Sequence, residues 1–162
     1  WPASSDETTV ARFVATTVFS GVPAIGANLL DAPLSHAEIT KAWLSFYHAH
    51  QSGLTLGTFQ PIGDFVEPDQ KIESSDEAFV YLRSGKTISV DVRDTVTRLF
   101  IANCTNSDQV ELMLNGLDEG EYRIEVCDRL LQPVSLRTAR MGSGAEFREV
   151  VPQGGLLAVT RR

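Results

Sequence analysis

His36, His48 and His50 fall in one stretch that reads as a helix, and three imidazoles on one element raise the question of a metal site. Their spacing argues against it. At about 100° per residue His48 and His50 point to opposite sides of a helix, and His36 lies about three to four turns away from both. His50 falls on the apolar face, where a hydrogen-bonded packing role is expected. Cys104 and Cys127 have no metal-ligand spacing either and are expected as two reduced thiols, with a disulfide left open because both lie near the ends of predicted strands. The sequence holds no nucleophile elbow, phosphate-binding loop or Gly-rich dinucleotide turn. No metal and no cofactor are expected.

Carboxylates are the chemistry that remains. The chain carries 21 Asp and Glu against 14 Lys and Arg, a net charge of −7, which opposes attraction to nucleic acid or to an anionic membrane surface. No apolar run approaches the roughly 20 residues needed to cross a bilayer, and no segment has the pattern of a signal peptide, so a soluble chain with no membrane partner is expected.

The elements that would position these acids divide the chain in two. Ser4 stands three residues before Glu7, the spacing of a capping box, and predicts a helix over 6–19 with Val10, Phe13, Val14, Thr17 and Val18 on one stripe. Val22 to Leu30 is nearly unbroken apolar sequence with Pro23 at its start and Gly26 inside, which predicts a short strand buried on both faces, as in a parallel sheet. Ser35 and Glu38 repeat the capping-box spacing and predict a second helix over 36–51 that lines up His36, Ile39, Trp43, Phe46, Tyr47 and His50. Gly57, Pro61 and Gly63 then read as breakers in a linker, with a boundary near Pro61.

Beyond it the period changes to two. AFVYLRSG, KTISVDV, TRLFIANC, QVELMLNGL, EYRIEVCD, PVSLRTAR, EFREVV and LLAVTRR alternate apolar and polar residues between turn signals. About eight such strands, each with one face to bury, predict an antiparallel β-sandwich. The expected fold is therefore mainly β with an N-terminal α part, residues 1–61 forming a helix-strand-helix segment and 62–162 the sandwich.

FSGVPAIGANLLDAPLSHAEITKAWLSFYHAHQSGLTLGTF resembles the last βα unit of a (β/α)8 barrel in the α-galactosidase (melibiase) superfamily of glycoside hydrolases. The resemblance rests on Gly26, Asn28 and Leu29 at the strand end, Pro33, Leu34, Ser35 and Glu38 at the helix start, Trp43, Phe46 and Tyr47 within the helix, and Gly57 beyond it. The β part is similar to the C-terminal domain of the same enzymes through AFVYLR, LFIAN and a last strand with Pro152, Gly154, Gly155, Leu157 and Val159. The resemblance implies O-glycosyl hydrolysis by a parent enzyme whose nucleophile and acid/base carboxylates lie on earlier barrel strands. A chain opening on Trp1-Pro2 fits a fragment or processed product that lacks this catalytic pair, and hydrolysis does require two carboxyl groups facing each other across the sugar.

In this setting Asn28 and Asp31 stand at the strand end where barrel sites are built and could hydrogen-bond a sugar hydroxyl. Asp31, close before Pro33, could instead shape the loop into the helix. Trp1 could stack on a sugar or be a frayed terminal residue. The helix stripes are expected to meet the sandwich, a missing barrel or a second copy of the chain. The rival reading is a non-catalytic carbohydrate-binding or assembly module. Such a module usually presents exposed aromatics, whereas Phe65, Phe79, Tyr81, Phe100, Tyr122 and Phe147 fall mostly in patterns that suit a core.

Overall fold

A computed structural model describes residues 4–26, 31–63, 66 and 68–162. The first helix, α1 (Glu7–Phe19), is capped by Asp6, whose carboxylate accepts from Thr9 N at 2.8 Å, rather than by the Ser4–Glu7 box. Its inner face is Val10, Ala11, Val14, Ala15, Val18 and Phe19. The second helix, α2, runs Leu34–Leu56, longer at both ends than its pattern predicts. Pro33 occupies its N-cap without a side-chain hydrogen bond, so the Ser35–Glu38 box does not form. The proline, with φ of −52°, is preset for helix entry and places Ser35 inside the first turn instead of before it. His50 departs from helical geometry (φ −120°, ψ 15°), and the helix resumes beyond it to Gly57.

Between the helices Val22–Gly26 is irregular and Val22 is 76% exposed, so the buried strand expected to start there is not formed over these residues. None of them pairs in either sheet, and a strand without a neighbour leaves its backbone groups to water. The remainder of that expected strand, including Asn28, lies outside the described residues.

Among the described residues ten strands follow: β1 (Thr58–Ile62), β2 (Asp69–Glu73), β3 (Glu77–Leu82), β4 (Ile88–Asp91), β5 (Arg98–Asn103), β6 (Gln109–Asn115), β7 (Gly120–Cys127), β8 (Pro133–Met141), β9 (Ala145–Val150) and β10 (Leu156–Arg161). The eight alternating segments are β3 to β10. The supposed linker supplies β1 and β2, and Pro61 sits inside β1 opposite Gln70. The strands form a seven-stranded sheet in the order β1-β2-β3-β5-β10-β7-β8 and a three-stranded sheet in the order β4-β6-β9.

The pairing is not antiparallel throughout. β3 pairs with β5, and β4 with β6, in parallel. From β3 to β6 the chain alternates between the sheets, so each of these pairs is joined by a crossover through the opposite sheet, and a crossover returns the chain in the same direction.

Alternation along each strand gives the seven-stranded sheet two apolar faces. Ala78, Val80, Leu99, Ile101, Leu157 and Val159 share one core with Val90, Leu112, Leu114 and Phe147 of the smaller sheet. Phe79, Tyr81, Phe100, Ala102 and Leu156 face the other way and share a second core with α1 and α2. The helix stripes therefore meet the sheet of their own chain: Val14, Val18, Ile39 and Trp43 are buried there, while Phe13 stays 46% exposed. Phe79, Tyr81, Phe100, Tyr122 and Phe147 are all buried, and Phe65 lies outside the described residues.

β2 explains why sequence patterning missed it. Asp69, Lys71 and Glu73 are buried, and the register sets Lys71 beside Val80 and Glu73 beside Ala78, on the face shared with the smaller sheet. They are tolerated because each is paired. Lys71 Nζ lies 2.8 Å from Glu73 Oε2 and also donates to the Asp91 carbonyl, and Arg93 closes on the same glutamate. Asp69 accepts from Arg83 N at 2.6 Å and from Ser84 N and Oγ at 3.0 and 2.7 Å, which fixes the β3–β4 turn.

Candidate functional site

Asp31 is exposed on the approach to α2. A cleft of about 390 Å³ opens where the starts of α1 and α2 meet the β7–β8 and β9–β10 loops. Glu7 comes from α1, Glu38 from α2, and Asp128 and Arg129 from the β7–β8 loop, over an apolar floor of Ile39, Leu130 and Pro152.

Each charged wall has a local cause. Asp128 Oδ1 accepts from Leu130 N at 2.8 Å and Gln132 N at 2.9 Å, a side-chain-closed turn that holds Leu131 at φ 58°. The turn presents Arg129, whose guanidinium reaches Glu7 at 3.4 Å and ties the loop to α1. Glu38, released from the capping role expected for it, is exposed at the rim. Glu7 and Asp128 thus hold the walls of the cleft. The arrangement offers carboxylate acceptors, a guanidinium donor and an apolar floor, a set that can orient a polyhydroxylated ligand.

Trp1 and Asn28, the other two residues expected to touch substrate, lie outside the described residues. Sequence reasoning missed Glu7, Asp128 and Arg129 as neighbours because the parts of the chain that carry them are more than a hundred residues apart. The one local signal was the Asp128-Arg129 turn at the end of β7.

His50 takes the packing role expected from its place on the apolar face. His50 Nδ1 lies 2.7 Å from Glu77 Oε1, and Arg98 Nη1 approaches the same oxygen at 3.2 Å. The imidazole sits 4.5 Å from the ring centres of both Phe46 and Phe100. This is a hydrogen-bonded packing role, and Gly53 permits it: a Cβ there would stand 2.8 Å from Glu77 Oε2 and from the Phe79 ring. His36 is buried with Nδ1 unpartnered, as is Trp43 Nε1 two turns along the same face. Among the described residues no three His, Cys, Asp or Glu side chains are grouped to hold a metal ion.

Cys104 and Cys127 are free, buried thiols, and burial pushes both up to about 11. Only the thiolate is nucleophilic, so neither should react with iodoacetamide in the native chain near neutral pH, while both react once the chain is unfolded in denaturant. Rapid native labelling of either cysteine would contradict this burial.

Comparison of the chain with protein-family models, curated proteins and solved structures found no match.

Proposed function

We propose that this chain is the C-terminal portion of a glycoside hydrolase resembling the α-galactosidase superfamily, in which the two facing sheets form a β-sandwich accessory domain. In that reading α1 and α2 close the end of a barrel, the catalytic carboxylates belong to barrel strands earlier in the parent protein, and the carbohydrate substrate is met through that enzyme.

The observation that carries the reading is the seam between helices and sheet. Its tightest points are glycines at positions on which the resemblance rests. A Cβ on Gly57 would lie 2.5 Å from Gly53 O and from Ile72 Cγ2. One on Gly154, at φ +73°, would lie 2.5 Å from Ala11 Cβ. Trp43, fully buried, packs edge-on against Phe19 across the helix pair at 6.1 Å. Residues that a barrel end and its C-terminal domain would share are thus spent on fastening one to the other. A sandwich joined this closely to the last barrel helices acts as a brace for them.

The two halves of the proposal are measured separately. The 162-residue chain alone should not hydrolyse aryl α-galactosides or related aryl glycosides, because the walls of its cleft use their acids in ion pairs and turns. The protein encoded by the longest reading frame containing the chain should hydrolyse at least one of them. An inactive longer protein, or turnover by the isolated chain that survives repurification and is abolished by Asp31→Asn, overturns the reading.

A further inference from the structure

The outer face of the three-stranded sheet is turned away from both cores, and its side chains form an ordered polar array. Thr87 Oγ1 donates to Glu111 Oε2 at 3.0 Å, and Arg148 Nη2 reaches Glu111 Oε1 at 2.9 Å, so one row of bonds runs from the start of β4 across β6 to β9. A second row forms where Asn115 Nδ2 donates to Ser89 Oγ at 2.8 Å and to Asp91 Oδ1 at 2.7 Å. Between the rows Met113 is 40% exposed, with Ser89 opposite it on β4 and Glu146 opposite it on β9.

Two clefts flank the first row. One, of about 210 Å³, lies toward the β3–β4 and β5–β6 loops, and the other, of about 480 Å³, toward β9. Both are lined by Thr87 and Glu111, so the two clefts adjoin as a groove divided by this bonded pair. Its charged lining is balanced, Lys86 and Arg148 against Glu111 and Glu146.

We propose that this groove binds a neutral oligosaccharide. The balance of charge offers no net attraction to a polyanion or a polycation, while the lining offers what hydroxyl groups require. Glu111 accepts one bond on each oxygen and keeps lone pairs for more, and the Gln109 and Glu146 side chains make no hydrogen bond within the protein among the described residues. Met113 supplies the apolar surface on which the C–H face of a sugar ring can rest. The polar groups are held by bonds to neighbouring strands, so little rotamer freedom remains to be lost on binding. With strands about 4.8 Å apart, the platform from β4 to β9 is about 10 Å across, the span of a disaccharide. The choice of a carbohydrate rests on the function proposed above, but the site itself belongs to the isolated chain.

The test is titration of the isolated, isotope-labelled chain with maltohexaose, cellohexaose and mannohexaose, followed by amide NMR shifts. At least one probe should move resonances of Thr87, Glu111, Met113 and Arg148 with a millimolar dissociation constant, and Glu111→Ala or Arg148→Ala should weaken binding about tenfold. Both side chains point away from the core, so the variants' remaining spectra report whether the fold is intact. Absence of shifts on this face with all three sugars, shifts confined to the cleft at the helix starts, or undiminished binding by a folded Glu111→Ala variant overturns the proposal. Activity of the longer protein is read independently, so failure of this proposal is distinguishable from failure of the function on which it rests.

Discussion

Gly154→Ala should destabilise the chain by about 2–5 kcal/mol, the sum of left-handed backbone strain and overpacking against α1. The glycine sits at φ +73°, and an added Cβ would stand 2.5 Å from Ala11 Cβ and 3.1 Å from Arg12 N. Neither neighbour can move away cheaply. Ala11 is fully buried, and Arg12 is anchored by a bond from its Nε to Cys104 O at 2.9 Å. Gly144 provides the control: it is also left-handed, at φ +80°, yet nothing lies within 4 Å of its added Cβ. Gly144→Ala should therefore lose only the backbone part, about 1–2 kcal/mol. Urea denaturation followed by tryptophan fluorescence measures both, and equal losses would mean that the α1 seam contributes nothing.

Lys71→Ala should cost about 3–5 kcal/mol, because it leaves Glu73 buried and short of its ammonium partner. Both side chains are nearly enclosed, 8% and 7% exposed, so solvent screens the loss poorly. The pair as a whole contributes far less than that figure. Replacing it together, as Lys71→Met with Glu73→Leu, removes both charges and should recover most of the stability, leaving Arg93 to solvent on its exposed side. Denaturant midpoints of the single and double variants decide the matter, and a double variant no better than Lys71→Ala would contradict it.

That buried pair also marks where the fold ceased to be legible in the sequence. β3 to β10 could be read because each buries one face, and alternation such as Ile88, Val90 against Ser89, Asp91 is the direct print of that burial. β1 and β2 could not. Pro61 looks like a breaker but is tolerated because β1 is an edge strand, and Asp69, Lys71 and Glu73 look like a solvated linker because their partners, Asp91 and Arg93 among them, arrive from elsewhere in the chain. The parallel pairings were hidden for a similar reason: alternation reports which face is buried and says nothing about strand direction. In the helices the α2 stripe was correct, while the α1 stripe was turned, with Phe13 exposed and Ala11, Ala15 and Phe19 buried instead; the caps were misread, since Asp6 rather than Ser4 directly precedes α1 and Pro33 places Ser35 inside the first turn of α2. Of the expected site residues only Asp31 is described, exposed beside α2, and the acids that do share a cleft are brought together by tertiary packing that no local pattern encodes.

The place of β10 in the seven-stranded sheet carries a consequence for how the molecule is made. This strand is the last of the ten to leave the ribosome, yet it pairs with both β5 and β7 and joins the β1-β2-β3-β5 half to β7-β8. Until it emerges, the nascent chain holds two unclosed sheet fragments, and Leu157 and Val159 are missing from one core and Leu156 from the other. At roughly 5–20 residues per second the helices and early strands wait several seconds with their apolar faces uncovered. Closure of the sheet is therefore late and abrupt, and a ribosome that stops before Leu156 releases a chain with two open sheet edges, a substrate for chaperones and proteases rather than a partly working protein.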